Sequence, residues 1–249
     1  MERITLHAFN APDEPALCEE FMRQHRMVLE DFGITNVTTN NERWTHDPFC
    51  YVIVAMHEEL GMVGGIRLQL DHPGTELPME EAIRKMDPGI TPLLRGIRDE
   101  GNGEVCGLWN ANRYANKGVA ILLSHAVTAL AMPAGAKRMV CFVAHYTQRH
   151  PSRNGFVVME NVGDKGCFAY PIPSIKAIAM LNPDTLTLPH ARHEQRLLIY
   201  SLRLRPEQVR VENPSGTPLE VTYRMKLRQD AMHGPAYERI LENRLRYCA

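Results

Sequence analysis

Glu104 opens a run of strand-forming residues (Val105, Leu108, Trp109). The run passes through a polar stretch to a turn at Gly118 and then enters an apolar segment. A strand, a glycine turn and a helix start make an anion cradle. The first-turn amides have no partner inside the helix, and the helix dipole favours negative charge there. A ligand carrying phosphate suits such a turn. Glu104 lies on the strand 14 residues before Gly118. A carboxylate there, working through water, could act as a general base if burial raised its pKa.

Two arginines, Arg67 and Arg113, each follow apolar strand residues. Pointed into one cleft, their planar guanidinium groups would clamp a carboxylate, as an amino-acid acceptor requires. Tyr146, with His145 beside it, stands just after a short apolar run. His125 within the apolar helix reads as a core histidine, and Ser124 lacks the Gly-x-Ser-x-Gly setting of a hydrolase nucleophile. The six cysteines (18, 50, 106, 141, 167, 248) lie far apart, with no Cys-x-x-Cys pair and no zinc spacing. Buried reduced thiols and no metal are expected.

The elements that must position these groups follow from periodicity. Asp13 to Glu30 reads as a helix with Leu17, Phe21, Val28 and Leu29 on one face, and Thr35 to Asp47 as an ordered loop or a mobile lid. Cys50–His57 and Met62–Leu70 read as an antiparallel hairpin. Between Asp71 and Glu100 at most one short helix, Glu80 to Met86, is expected. The strand at 104–112 leads to a helix at roughly 117–131 that Pro133 and Gly135 terminate. Met139 to Ala144 reads as a strand buried on both faces, His145 to Asn154 as polar and partly helical, and Gly155 to Met159 and Ile175 to Leu181 as the closing strands. After Pro189, Arg196 to Leu204 reads as strand or helix, Glu220 to Leu227 as a strand, and Pro235 to Tyr247 as an amphipathic helix.

Size and charge narrow the function classes. The chain has 249 residues, 44% hydrophobic and 23% charged, with a net charge of -1. Nothing in this balance points to nucleic acid or an anionic membrane. No window reaches the roughly 18 apolar residues of a membrane span, and the first residues hold no apolar signal core. A cytoplasmic protein is expected, with residues 1–185 as one domain and 186–249 as an extension packed on it.

The order hairpin, strand, glycine turn, helix, buried strand resembles the GNAT acyltransferase superfamily, and Gly118-x-Ala120 fits the second half of its carrier-binding turn. Gly64-Gly65-Ile66-Arg67-Leu68 is similar to a segment of the acyl-homoserine-lactone synthases and long-chain N-acyl amino acid synthases. Asn110-Ala111-Asn112-Arg113-Tyr114 stands where those enzymes place a glutamate, two residues, Arg and an aromatic. Asp47 stands in a loop similar to their Asp-containing loop. Where they carry the glutamate this chain has Asn110, an amide that accepts no proton at neutral pH. Glu104 matches the strand glutamate of histone-type members.

The resemblance implies an α/β (α+β) fold with a mixed, mostly antiparallel central sheet flanked by helices. It implies a donor that is an acyl carrier protein phosphopantetheine or an acyl-coenzyme A. Trp109, Ala111 and Asn112 would lie beside the pantetheine arm, and Asn116, Lys117, Gly118, Val119 and Ala120 at its phosphate. Glu104 and Tyr146 become the catalytic pair. Arg67, Arg113, Asp47 and Asn110 become the contacts to a small-molecule amine. The activity implied is acyl transfer, with a fatty acyl donor, to an amino acid or related metabolite. Two alternatives stand beside it: an ordinary acetyl-coenzyme A acetyltransferase, and a catalytically silent module that binds acyl thioesters.

Overall fold

The computed structural model describes residues 1–34 and 37–227. One sheet organises them, in the order β6-β8-β5-β4-β3-β2-β1-β10-β9, with β7 pairing β8 beside it. The strands are β1 (Glu2–Asn10), β2 (Cys50–His57), β3 (Gly61–Leu70), β4 (Asn102–Asn110), β5 (Arg138–Ala144), β6 (Val157–Val158), β7 (Cys167–Ala169), β8 (Lys176–Asn182), β9 (Glu207–Glu212) and β10 (Leu219–Arg224). Only β1 with β10 and β4 with β5 run parallel, so the sheet is mixed and mostly antiparallel. The helices are α1 (Pro15–Asp31), α2 (Pro78–Ile83), α3 (Ile90–Arg98), α4 (Val119–Ala134), α5 (Arg149–Arg153) and α6 (His193–Leu204).

Each face of the sheet has its own core. Leu6, Ile53, Ile66 and Leu68 meet Leu122, Leu123, Ala126 and Leu130 of α4. Nearly every α4 side chain is buried, as an all-round apolar helix demands. On the opposite face Phe9, Val52 and Val54 meet Phe21 of α1 together with Trp44. A third cluster joins Leu77, Ile83 and Leu94 to Val140 and Phe168.

The structure adds to the sequence reading β1, β7, α3 and β9, and it resolves one open alternative. β1 precedes the first expected helix; Ile4, Leu6 and Ala8 alternate inward along it, a period-2 signal in a short segment. A second helix, α3, follows α2, its buried side formed by Ile90 and Leu94. Arg196 to Leu204 resolves as the helix α6, and β9 adds an edge strand. The expected helix at 235–247 lies outside the described residues.

Pro133 does not end α4. The helix continues to Ala134 and closes on Gly135, whose φ of 89° is open to glycine and costly for other residues. Having no N–H, Pro133 cannot satisfy the carbonyl of Ala129 four residues back. Arg203 of α6 supplies the missing donor, with its Nε 3.4 Å from that oxygen. Its Nη2 donates to Thr128 O at 3.0 Å and Thr185 O at 2.7 Å.

Gly65 explains the close approach of α1 to β3. A methyl group there would overlap the Phe21 ring and sit 2.8 Å from Trp109 Nε1. Gly65→Ala is expected to destabilise the fold by about 1–3 kcal/mol through overpacking. Urea unfolding measures this, and an unchanged midpoint would show that α1 gives way at no cost.

Candidate active site

The sheet splits at one point. β4 and β5 pair only through Asn102↔Arg138, Gly103↔Met139 and Glu104↔Val140. Beyond that, β4 continues along β3 and β5 continues along β8. Among the described residues, the backbone groups of 105–110 on the β5 side have no strand partner. A cavity of about 240 Å³ opens at the split, lined from β4 by Glu104 to Leu108 and from β5 by Cys141 to Ala144. Val127 and Thr128 of α4, Phe156, and Tyr170 complete its wall.

The register also decides which side chains meet. Arg67 stands opposite Cys106, and Gln69 opposite Glu104, so strand alternation puts all four on the face away from α4. β4 carries one extra residue between its pairs with Arg67 and Gly65. Gly107, with φ 61°, lies in that bulge. A side-chain carbon on Gly107 would come within 3.3 Å of Arg67 Nε, so the glycine makes room for the guanidinium. A glycine in the middle of a strand was the signal for this bulge, and the sequence reading did not use it.

Glu104 is 1% exposed, and its Oε2 accepts the Met79 N–H at 2.7 Å at the start of α2. Burial pushes its pKa up to about 8. The Met79 hydrogen bond and the Arg67 charge pull the other way but do not overcome the loss of water. The carboxyl therefore titrates in the range where a general base works. His25 of α1, also at the cavity, is held down at about 4 by burial and by Arg67, so it is neutral at physiological pH. Burial raises the Cys106 thiol to about 12 and keeps it from acting as a nucleophile.

Arg67 is fully buried. Its Nη2 donates to Thr39 O at 2.9 Å, and the guanidinium lies 4.5 Å from the Trp44 ring centroid. Its Nε and Nη1 have no hydrogen-bond partner among the described residues. The segment 37–47 therefore folds over Arg67 as an ordered cover. It is tied to the far wall by Thr38, whose N–H donates to Tyr170 Oη at 3.0 Å, and to α2 by Arg43 and Glu81 at 3.0 Å. Thr39, Trp44, Tyr170 and the Met79 amide are site groups the sequence reading missed; Trp44, an aromatic in a polar stretch, was the available cue.

The other expected site residues are spread around this centre. Tyr146 borders the cavity and is 60% exposed. Arg113 is not brought to Arg67. It donates to Leu60 O at 3.0 Å and Met62 O at 2.8 Å at the far end of the hairpin, five β3 residues or roughly 17 Å along the strand. Asn110 turns its amide to the carbonyls of Ala111 and Tyr114. Trp109 and Ala111 are buried in the cluster under α1, and Asn112 donates to Asp31. Asp47 borders a separate polar cleft with His72, accepts the Phe49 N–H at 2.8 Å and lies 3.3 Å from His72 Nε2. At the turn, Asn116 and Gly118 both have positive φ. Val119 is buried, Ala120 is half-buried, and Lys117 pairs with Glu2 at 3.0 Å.

The raised Glu104 pKa makes stability depend on pH. The unfolded group titrates near 4.5 and the folded one near 8, so the folded state holds the proton more tightly. Its contribution is complete below 4.5 and disappears as the pH rises through 8. Glu104→Gln removes this dependence. Urea unfolding across the same window is expected to give a wild-type curve that falls relative to the variant's. Parallel curves would mean that Glu104 is already ionised at neutral pH.

No protein-family model and no curated protein matches the sequence. Solved structures do. The N-acyl amino acid synthase FeeM from uncultured soil microbes superposes with a TM-score of 0.55 at 18% identity, over 76% of this chain and 96% of that one. The coenzyme A-dependent acyl-homoserine lactone synthase BjaI, solved with SAM and isopentyl-CoA, gives 0.52 at 15% identity, over 96% of this chain and 99% of that one. At these low identities the likeness is one of fold, and the chain has the GNAT fold.

Proposed function

We propose that this chain is an N-acyltransferase that moves an acyl group from a phosphopantetheine thioester to the amine of a small carboxylate-bearing acceptor. The observation that carries this reading is Glu104, a buried carboxyl with raised pKa at the vertex of the split sheet, beside an apolar cavity. The names of FeeM and BjaI agree with it.

The pantetheine arm lies between β4 and β5, where the unpaired β4 backbone offers hydrogen bonds as it would to an added strand. Its phosphate meets the α4 turn at Gly118 to Ala120. Glu104, ionised, takes a proton from the acceptor's ammonium or amine. The nitrogen then attacks the thioester carbonyl, and a β4 amide stabilises the oxyanion. The C–S bond breaks as the amide forms, and the thiolate takes a proton from Tyr146 at the rim. Arg67 supplies the positive charge for the acceptor's carboxylate through its two unpartnered nitrogens. Because the 37–47 segment covers Arg67, the acceptor reaches it by displacing that cover.

Cavity size bears on acyl length. A dry cavity of about 150 Å³ holds a benzene molecule. The 240 Å³ here, lined by Val127, Phe142, Val143, Phe156 and Ile175, therefore has room for more than acetyl. The silent-module alternative drew its support from Asn110, and Glu104 supplies the carboxyl in its place.

Two measurements test the reading. Mass spectrometry of reactions containing acyl thioesters and mixed amino acids is expected to find N-acyl amino acids, with chains longer than acetyl preferred. Acetyl-only products would favour the acetyltransferase, and no product with tight thioester binding would favour the module. In pH profiles, kcat/KM is expected to rise to a plateau above about 8. Glu104→Gln should lose that limb and about 10²-fold or more in rate, while Arg67→Lys should act mainly on the acceptor KM. A Glu104→Gln enzyme with unaltered turnover would remove Glu104 from the chemistry.

A further inference from the structure

The α4 turn is roofed by a distant part of the chain. A carbon added to Gly118 would come within 2.6 Å of two ring carbons of Pro214 and 3.2 Å of its carbonyl carbon. Pro214 belongs to the connection 213–218 between β9 and β10, and that connection has firm roots. Glu212 pairs with Leu219 at its base, Leu219 is 2% exposed and stands opposite Glu2 of β1, and Tyr223 Oη donates to Glu212 Oε1 at 3.1 Å.

Three cations of the same corner are held in ion pairs. Lys117 pairs with Glu2 at 3.0 Å, Arg3 with Glu220 at 3.0 Å and Arg210 with Glu212 at 2.9 Å. Each pair near the surface is weak on its own. Together they leave these three cations matched by carboxylates rather than gathered into a positive patch for a multiply charged ligand.

The two carriers of phosphopantetheine differ at this point. Coenzyme A continues into a diphosphate and a nucleotide with a 3′-phosphate, whereas a carrier protein presents a single phosphodiester. We propose that the 213–218 connection, through Pro214, determines donor specificity: it denies the turn to the nucleotide of coenzyme A and favours pantetheine delivered as a single phosphate by a carrier protein. This rests on the donor site proposed above. Of the turn's surroundings, the proline ring over Gly118 narrows the space for a second phosphate, and Lys117, Arg3 and Arg210 are already paired with carboxylates.

Calorimetric binding of 4′-phosphopantetheine and of coenzyme A to the full-length protein tests this directly. Wild type is expected to bind 4′-phosphopantetheine at least about tenfold tighter, a difference of about 1.4 kcal/mol. Pro214→Gly, and separately replacement of residues 213–218 by a short Asn-Gly turn, should strengthen coenzyme A binding by about that factor and leave 4′-phosphopantetheine unchanged. The point variant keeps the test open should the shortened hairpin fail to fold. Wild type binding coenzyme A as tightly as 4′-phosphopantetheine, or an unchanged ratio in a folded variant, would overturn the specificity role while leaving the donor site in place. Absence of binding by either ligand to any of the proteins, with no acyl donor turned over, would remove the donor site itself and this proposal with it.

Discussion

The parting of β4 and β5 at Glu104 is the constraint on which the site depends. After three paired residues the strands follow different neighbours, β3 on one side and β8 on the other. β5 is held by six pairs to β8, and β4 by its bulged ladder to β3, so neither can close the gap without losing a longer ladder. The bulge at Gly107 adds local twist that turns β4 away. α4 closes one face of the gap, and α1 with the 37–47 segment covers the other. A split sheet leaves backbone groups that no strand pairs, open to water or to a ligand. The fold thus places the parting of its strands and its buried titratable carboxyl at the same point.

Arg67 and Glu104 extend this logic to charge. A fully buried guanidinium with two nitrogens unpartnered among the described residues, near a carboxyl that burial keeps largely protonated below pH 8, is an incomplete electrostatic arrangement. Removing water from both groups costs more than their attraction returns, which is why the Glu104 pKa rises despite the nearby cation. An arriving acceptor carboxylate would supply the anion that Arg67 lacks. Neutralising Arg67 in that way would also weaken its pull on Glu104, making the carboxylate a stronger base once the proposed acceptor is in place. In the proposed reaction, binding and base strength would be coupled through one charge.

The outline of the fold was legible because it rests on local signals. The hairpin 50–70, the strand with Glu104, the apolar α4 and the buried β5 all follow from periodicity and glycine placement. What escaped was either short or non-local. β1 is an alternating strand too near the start of the chain to stand out from a single turn of helix. Pro133 reads as a terminator, yet α4 runs through it, and the hydrogen bond it cannot give is supplied by Arg203, 70 residues later. In the site, Glu104 and Arg67 were visible as residue types on apolar strands, but their shared face depends on the β3–β4 register and its bulge. Pairing Arg67 with Arg113 followed from both being arginines on strands; their separation depends on where each sits along the hairpin. Trp44 and Thr39 could not be assigned to Arg67 from a polar segment without periodicity.

The last strands bear on the site more than their position suggests. β10 lies parallel to β1 over six residue pairs and adds β9 outside it, so the sheet edge nearest the α4 turn is built from residues after 200. A parallel pair cannot be joined by a tight turn, and here nearly the whole chain separates its two strands. The turn that would receive the donor is therefore bordered by both ends of the described chain, Glu2 on one side and Pro214 on the other. On the proposed reading, substitutions in the tail would reach the donor site through this edge without touching Glu104 or Arg67. Acceptor access would depend on the 37–47 segment, on the opposite side of the sheet from α4, and so would vary separately. The two substrates of the proposed reaction would meet at Glu104 but be admitted by segments that share no ladder, which would let donor and acceptor preference change independently within a single fold.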